Sequence, residues 1–249
     1  MSRYDFTSQR LFVDGDLAQG SELPATPEQA NYLGNVLRMQ PGDGVLLFNG
    51  RDGEWQARIG QRSKRAMTLV VGALVRPQQG GPDIDYLFAP LKRSRLDYMV
   101  QKATEMGVAR LRPVLTRRTN AERVKTDRLK ANAIEAAEQC GVLRVPLVAE
   151  PEKLSSVLAS WPQERLLVFC DEDAEVRDPM AALATWRATP PRPVAVLIGP
   201  EGGFDPAERE ALLAQRAVLR LSLGPRILRA DTAAVAALAL VNAVLGDWG

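Results

Sequence analysis

The 249-residue sequence contains no histidine, and that absence excludes the most. There is no imidazole for a Ser-His-Asp or Cys-His site, for general-base work, or for an H-E-x-x-H zinc site. Cysteine is scarce too. Cys140 and Cys170 cannot by themselves close a four-ligand zinc site, so no metal is expected. Nor do two cysteines make a disulfide framework, which points to a reducing, cytoplasmic compartment. The start, MSRYDFTSQRLF, lacks the apolar core of a signal peptide. The longest apolar run, Ala233–Leu245, is Ala-rich and holds Asn242, so it is too short and too weakly hydrophobic to span a bilayer. Neither G-x-G-x-x-G nor G-x-x-x-x-G-K-[ST] occurs. Any chemistry must come from Arg, Lys, Asp, Glu, hydroxyls, backbone groups or a borrowed cofactor.

What is present is an ordinary globular composition, 46% hydrophobic and 25% charged, with enough chain for a real core. The formal net charge is only +2, but it is unevenly spread. Residues 84–130 hold 12 basic and 5 acidic side chains, whereas residues 131–249 hold 11 basic and 16 acidic. Of the 32 basic residues 26 are Arg, the type suited to bidentate phosphate contacts. A cationic stretch inside a near-neutral protein suggests a surface for a polyanion, nucleic acid above all; the alternative is a plain solvated face.

Arg76-Pro77-Gln78-Gln79-Gly80-Gly81-Pro82 breaks the chain in two, and residues 77–82 read as a linker. Residues 1–76 carry short strand-like runs at Leu11–Val13, Val45–Phe48, Trp55–Ile59 and Met67–Val75, with turn signals between them. One helix interrupts them, with Thr26 as cap, Pro27 first, and Ala30, Leu33, Val36 and Leu37 on one face. A small, mostly β barrel fits. Residues 83–249 alternate strand and helix. The strands are expected at Ile84–Ala89, Arg110–Leu115, Leu166–Cys170, Val194–Ile198 and Val218–Leu221. The helices are expected at Arg95–Met106, Asp127–Gln139, Pro206–Gln215 and Thr232–Leu245, the first opened by a Ser94/Asp97 capping box. Near-continuous apolar strands predict an α/β domain with a parallel sheet covered on both faces.

Two of these strands end alike: Leu197-Ile198-Gly199-Pro200-Glu201-Gly202-Gly203-Phe204 and Leu221-Ser222-Leu223-Gly224-Pro225-Arg226-Ile227-Leu228-Arg229. Ligands of open α/β sheets sit at the carboxyl ends of strands. Glu201 is unwelcome in a phosphate cradle, so a neutral or cationic ligand fits better. A Gly-Pro pair alone is also simply a turn. Asp205, Pro206 and Glu208 predict a capped helix after the first loop.

The GPEGGF loop, the LSLGPRILRADTA segment and the KRSRLDYMVQKATEMGV helix together resemble the bacterial 16S rRNA (uracil-N3)-methyltransferases of the RsmE family, in the SPOUT superfamily. RLFVDG at Arg10–Gly15 and YLGNVLRM at Tyr32–Met39 resemble that family's PUA-like domain. The resemblance covers almost the whole chain. It implies a PUA-like RNA-binding β-barrel domain over 1–76 and a SPOUT methyltransferase domain with a C-terminal trefoil knot over 83–249. It implies S-adenosylmethionine as cofactor, 16S rRNA in the 30S ribosomal subunit as partner, and a homodimer. It places Leu197, Gly199, Glu201, Gly202 and Gly203 on one side of the cofactor and Leu221, Ser222, Leu223, Gly224, Ile227, Leu228 and Arg229 on the other. The sequence departs from the family pattern at three places. Asn31 stands for a common His, Asp231 stands for a common Glu, and Cys140-Gly141-Val142-Leu143 precede Arg144 where an Arg usually comes sooner.

The expected chemistry asks little of side chains, because the cofactor carries the reactive methyl. The uracil N3–H must lose its proton, so Arg229 is expected to stabilise the uracil, and Asp231 or Glu201 to support proton removal. Asp231 can equally be the N-cap of the last helix. The target base must be turned out of its stack. Arg10, Arg38, Lys92, Arg93, Arg95, Arg117 and Arg118 are the candidates for holding RNA phosphates. Two other functions stay open: a related enzyme with another RNA target or a 2′-hydroxyl specificity, and a non-catalytic RNA-binding assembly factor.

Overall fold

The computed structural model describes residues 7–63, 66–119, 124–175 and 178–248. The chain divides into two compact units, Met1–Gly80 with Ala137–Arg144, and Gly81–Ala136 with Val145–Gly249.

The first unit is a five-stranded sheet in the order β1-β3-β4-β5-β2, built from β1 (Arg10–Phe12), β2 (Glu22–Pro24), β3 (Gly44–Phe48), β4 (Glu54–Arg62) and β5 (Met67–Arg76). β1 and β3 run parallel and the other pairs antiparallel. Register shifts along β4 and β5 bend this longest pair, as bulges do. The alternating residues Val45, Leu47, Ala57, Ile59, Leu69 and Val71 turn inward to one core. β2 escapes the sequence pattern because it is three residues long and ends in Pro.

The helix of this unit differs from its expected form. Thr26 caps α1 (Pro27–Asn31) in a capping box with Gln29, but the chain then widens into a π-helical turn at Tyr32–Val36. The wider turn breaks the 3.6-residue stripe. Leu33 is buried while Val36 and Leu37 are exposed. Arg10 is sealed in beside Glu54, with Nε 2.6 Å from Oε1, and Arg76 closes the other side with Nε 2.7 Å from Oε2. Glu138 accepts the N–H of Phe12 at 2.8 Å, and Gly141 O accepts from Arg76 at 3.0 Å, which ties residues 137–144 into this unit.

The second unit holds a parallel sheet whose main path runs β12-β10-β11-β6-β7-β8. Its strands are β6 (Ile84–Phe88), β7 (Arg110–Leu115), β8 (Leu147–Val148), β10 (Leu166–Cys170), β11 (Val194–Ile198) and β12 (Val218–Leu221), with β9 (Glu152–Lys153) beside β7. Side chains alternate between two cores. Tyr86, Phe88, Val168 and Val196 meet α2 (Arg93–Glu105), the first turns of α3 (Thr126–Cys140), α5 (Pro179–Ala184) and α7 (Ala230–Leu245) on one face. Leu87, Leu167, Phe169 and Leu197 meet α4 (Leu154–Ala159) and α6 (Pro206–Leu213) on the other. Both faces are covered, as the unbroken apolar strands required. Since β12 pairs with the far side of β10, the connection from β11 through α6 crosses over β10.

Two helix starts are corrected. α2 begins after Lys92 with no side-chain cap, so Ser94 and Asp97 make no capping box. Asp97 instead accepts from Arg128 Nε at 2.9 Å and Asn132 at 2.7 Å on α3. α7 is capped at Arg229, which leaves Asp231 in the first turn rather than at the cap.

Candidate active site

The exits of β12, β10 and β11 lie side by side because β10 stands between the other two. A cleft of about 520 Å3 opens over them, large enough for a cofactor-sized ligand.

The β11 exit is shaped by one close approach. A Cβ on Gly199 would fall 2.4 Å from a ring carbon of Phe204. That ring packs edge-on to Phe169 at 5.2 Å between centroids, so it has no room to yield. The loop then enters α6 through the expected capping box: Asp205 accepts from Ala207 N at 3.1 Å, and Glu208 accepts from Asp205 N at 3.2 Å. Three arginines of the basic stretch hold the same loop. Arg95 pairs with Glu201. Arg117 donates from its guanidinium to Asp205 at 2.8 Å and from its backbone N–H to Glu208 at 2.8 Å. Arg118 donates to Gly202 O at 2.8 Å.

The β10 exit, Cys170-Asp171-Glu172-Asp173, is the wall that sequence reasoning missed. Asp171 has a side chain only 4% exposed. It accepts from Arg209 of α6 and from Arg220 of β12, both at 2.9 Å. Burial pushes its carboxyl upward, but those two guanidinium bonds and the Asp173 N–H outweigh it and hold it below the usual carboxylate range. The neighbouring Cys170 thiol is pushed up to about 12, first by burial and then by the Asp171 charge. It is therefore a neutral thiol at physiological pH and no nucleophile. The run of three carboxylates after an apolar strand was visible in the sequence. The strand order that sets it between the two Gly-Pro loops was not.

The β12 exit turns at Gly224, whose φ of +102° favours glycine. Ile227 beyond it is 95% exposed. Arg229 is exposed at the N-cap of α7 with no side-chain cap bond, and Asp231 accepts the N–H of Thr232 at 3.0 Å.

Nine of the twelve expected cofactor residues line the cleft: Gly199, Glu201, Gly203, Leu221, Ser222, Leu223, Gly224, Ile227 and Leu228. Leu197 is not among the lining; its side chain is fully buried in the core with Phe169 and Leu87. Gly202 and Arg229 flank the lining, and Asp231 lies between Ala230 and Ala233, which belong to it. The expected phosphate contacts separate further. Arg10 is corrected: at 4% exposure and bound to Glu54, its guanidinium cannot meet a phosphate. Lys92 and Arg38 are exposed, and the side chain of Arg93 lies outside the described residues. Arg95, Arg117 and Arg118 are engaged with the β11 exit as given above. Among the described residues no cluster of His, Cys, Asp or Glu could hold a metal ion, and no helix is long and apolar enough to cross a membrane.

Comparison with known proteins gives this arrangement its class. Residues 79–242 match the family model of the RNA methyltransferase domain, and residues 25–72 match the RNA methyltransferase PUA domain. The chain belongs to the ribosomal RNA small subunit methyltransferase E family. It is 28% identical over 234 residues to the member from Rickettsia conorii, covering 94% of each chain. It is 30% identical over 239 residues to the member from Synechocystis, covering 95% of this chain and 78% of that one. Its fold matches a Legionella pneumophila protein solved with the bound cofactor SAM, at 29% identity and a TM-score of 0.83 over 96% of this chain and 99% of the other. A Neisseria gonorrhoeae structure shares the fold at 24% identity with a TM-score of 0.85, over 97% of this chain and all of that one.

Proposed function

We propose that this protein transfers the methyl group of S-adenosylmethionine to N3 of a specific uridine in the 16S rRNA of the small ribosomal subunit. The observation that carries this reading is the cleft itself. Three strand exits build it, the bare Gly199 lets the Phe204 ring pack against the β11 exit, and Arg229 and Asp231 stand at its edge. Gly199, Gly203, Leu221, Ser222, Leu223, Gly224 and Leu228 would hold the cofactor, largely through backbone groups. Glu201, Glu172 and Asp173 in the wall suit a ligand with cationic groups. When bound, S-adenosylmethionine supplies an activated methyl on a sulfonium, so this chain needs to provide position and proton handling.

Arg229 faces a cost where it stands. A cation at the N-terminus of the 16-residue α7 opposes the helix dipole, typically by about 0.3–1 kcal/mol, and no hydrogen bond to its side chain offsets it among the described residues. Such a group is placed for a ligand rather than for the fold. In this role it stabilises the uracil oxygens as N3 loses its proton. Asp231 accepts that proton; it is preferred over Glu201, whose carboxylate is held by Arg95. The target base is turned out of its stack to reach the cleft. Arg38, Lys92, Arg93 and the outer face of Arg117 hold phosphates, and residues 1–76 act as the RNA-binding domain.

The crossing of β11–α6 over β10, followed by the return of α7 onto α2, α5 and β11, supports a trefoil knot in the C-terminal part. The half-buried face of α7 with Val235, Ala236 and Ala239 suits a homodimer contact in a cytoplasmic enzyme.

The test is incorporation of labelled methyl into small ribosomal subunits by the protein and by Arg229→Ala. The wild type is expected to label 16S rRNA, and the variant to lose transfer while binding the cofactor normally. Full transfer by the variant would remove Arg229 from the mechanism. RNA binding without any transfer would leave the assembly-factor reading instead.

A further inference from the structure

The charges that line the cleft are mostly cancelled in place, and two cations are not. Asp171, Glu172, Asp173 and Glu201 supply four carboxylates. Arg209 answers Asp171 at 2.9 Å and Asp173 at 3.5 Å, so its charge is committed. Glu201 is answered by Arg95 from outside the cleft. Arg118 also lines the cleft, but its Nη1 donates to the carbonyl of Gly202, a neutral acceptor, at 2.8 Å. No carboxylate forms an ion pair with it among the described residues. A guanidinium has five N–H donors, and this bond uses one.

Arg118 is also held in place. The turn that carries it is closed by Thr119, whose Oγ1 accepts from Thr116 N at 2.9 Å and whose N–H donates to Thr116 O at 3.2 Å. Its neighbour Arg117 fastens that turn to Asp205 and Glu208 of the α6 cap. The side-chain stem lies over Gly202, where an added Cβ would come within 3.8 Å of Cδ. Ordering a free arginine on a ligand is unfavourable, and here that ordering belongs to the fold.

A ligand carboxylate entering this cleft meets repulsion from the four acids and attraction at two uncommitted cations. One is the anchored Arg118. The other is Arg226, exposed on the β12 exit with no ion pair among the described residues. We propose that Arg118 binds the carboxylate of the methionyl end of S-adenosylmethionine, as a cofactor-recognition residue rather than an RNA contact. This rests on the cofactor reading given above.

The test is calorimetric titration of the full chain with S-adenosylmethionine and with its decarboxylated analogue, which keeps the adenosine, sulfonium and amine. The wild type is expected to prefer the carboxylated ligand by about 10- to 100-fold, the range for a charge-assisted hydrogen bond. Arg118→Ala should lose that preference and bind both ligands alike. Arg118→Lys should keep part of it, and Arg226→Ala all of it. The wild-type comparison needs no variant, and binding of the analogue by Arg118→Ala reports that the variant folds. Equal binding of both ligands by the wild type would overturn the proposal. So would an Arg118→Ala protein that still discriminates, or one that loses RNA affinity alone. Wild-type protein that binds neither ligand would overturn the cofactor reading itself, a different result from binding both equally.

Discussion

The carboxylate of Asp171, at the end of β10, sits 2.9 Å from the guanidinium of Arg209 on α6. That contact, doubled by Arg220 at the same distance, fastens the middle exit loop of the cleft to the elements on either side. Asp171→Asn keeps the shape and removes the charge. Hydrogen bonds to charged groups are worth about 1.5–3 kcal/mol each, with the lower end expected for partners that are about a third exposed. The variant should unfold at lower urea with an unchanged denaturant slope, and it should bind the cofactor more weakly. An unchanged midpoint would mean that the pair is idle.

Gly199→Ala should be more damaging than its one added methyl suggests. The Cβ would lie 2.4 Å from the Phe204 ring, which is backed by Phe169. Overpacking of this kind costs about 1–3 kcal/mol, and here it shifts the loop that lines the cleft. Calorimetry should show lost cofactor binding before thermal melting shows lost folding. Wild-type affinity in this variant would contradict the close packing.

Cys170 and Cys140 should differ in reactivity. The Cys170 thiol is pushed up to about 12, while Cys140 is exposed. At pH 8 an alkylating reagent should modify Cys140 and leave Cys170 intact, as read by peptide mass spectrometry. Fast modification of Cys170 in the folded protein would show that its thiol is not protected.

Acid should weaken the first unit through Glu54. Burial pushes its carboxyl up, but the bonds from Arg76 and Arg10 prevail and hold it below its ordinary value of 4.5. Its contribution is therefore fully present above the unfolded value and is lost as pH falls through the lower folded one. Urea midpoints measured from pH 5 down to pH 3 should fall. Glu54→Gln should be less stable at pH 7 by about 3 kcal/mol, because two guanidinium groups lose a buried carboxylate, and its midpoint should fall less steeply with acid. Parallel pH profiles would contradict this assignment.

Much of this architecture was legible because it depends on local pattern. The five long strands of the parallel sheet, the Thr26 and Asp205 caps and the two Gly-Pro exits follow from periodicity and turn chemistry. Pairing was not legible. Only the strand order shows that Cys170–Asp173 stands between those exits and completes the cleft. Arg10 could not be told from a surface arginine, because its burial depends on Glu54, 44 residues away. Arg117 and Arg118 stood out as charge, but their partners Asp205 and Gly202 lie more than 80 residues on. The Ala30–Leu37 stripe failed for a local reason, since nothing in its apolar spacing marks where an α-helix widens into a π turn.

Methyl transfer to uridine N3 is read most directly by mass spectrometry of the nucleosides from small ribosomal subunits treated with this protein and S-adenosylmethionine. One new methylated nucleoside is expected in 16S rRNA, 3-methyluridine. A methyl group on ribose, on another RNA, or on no RNA at all would contradict it.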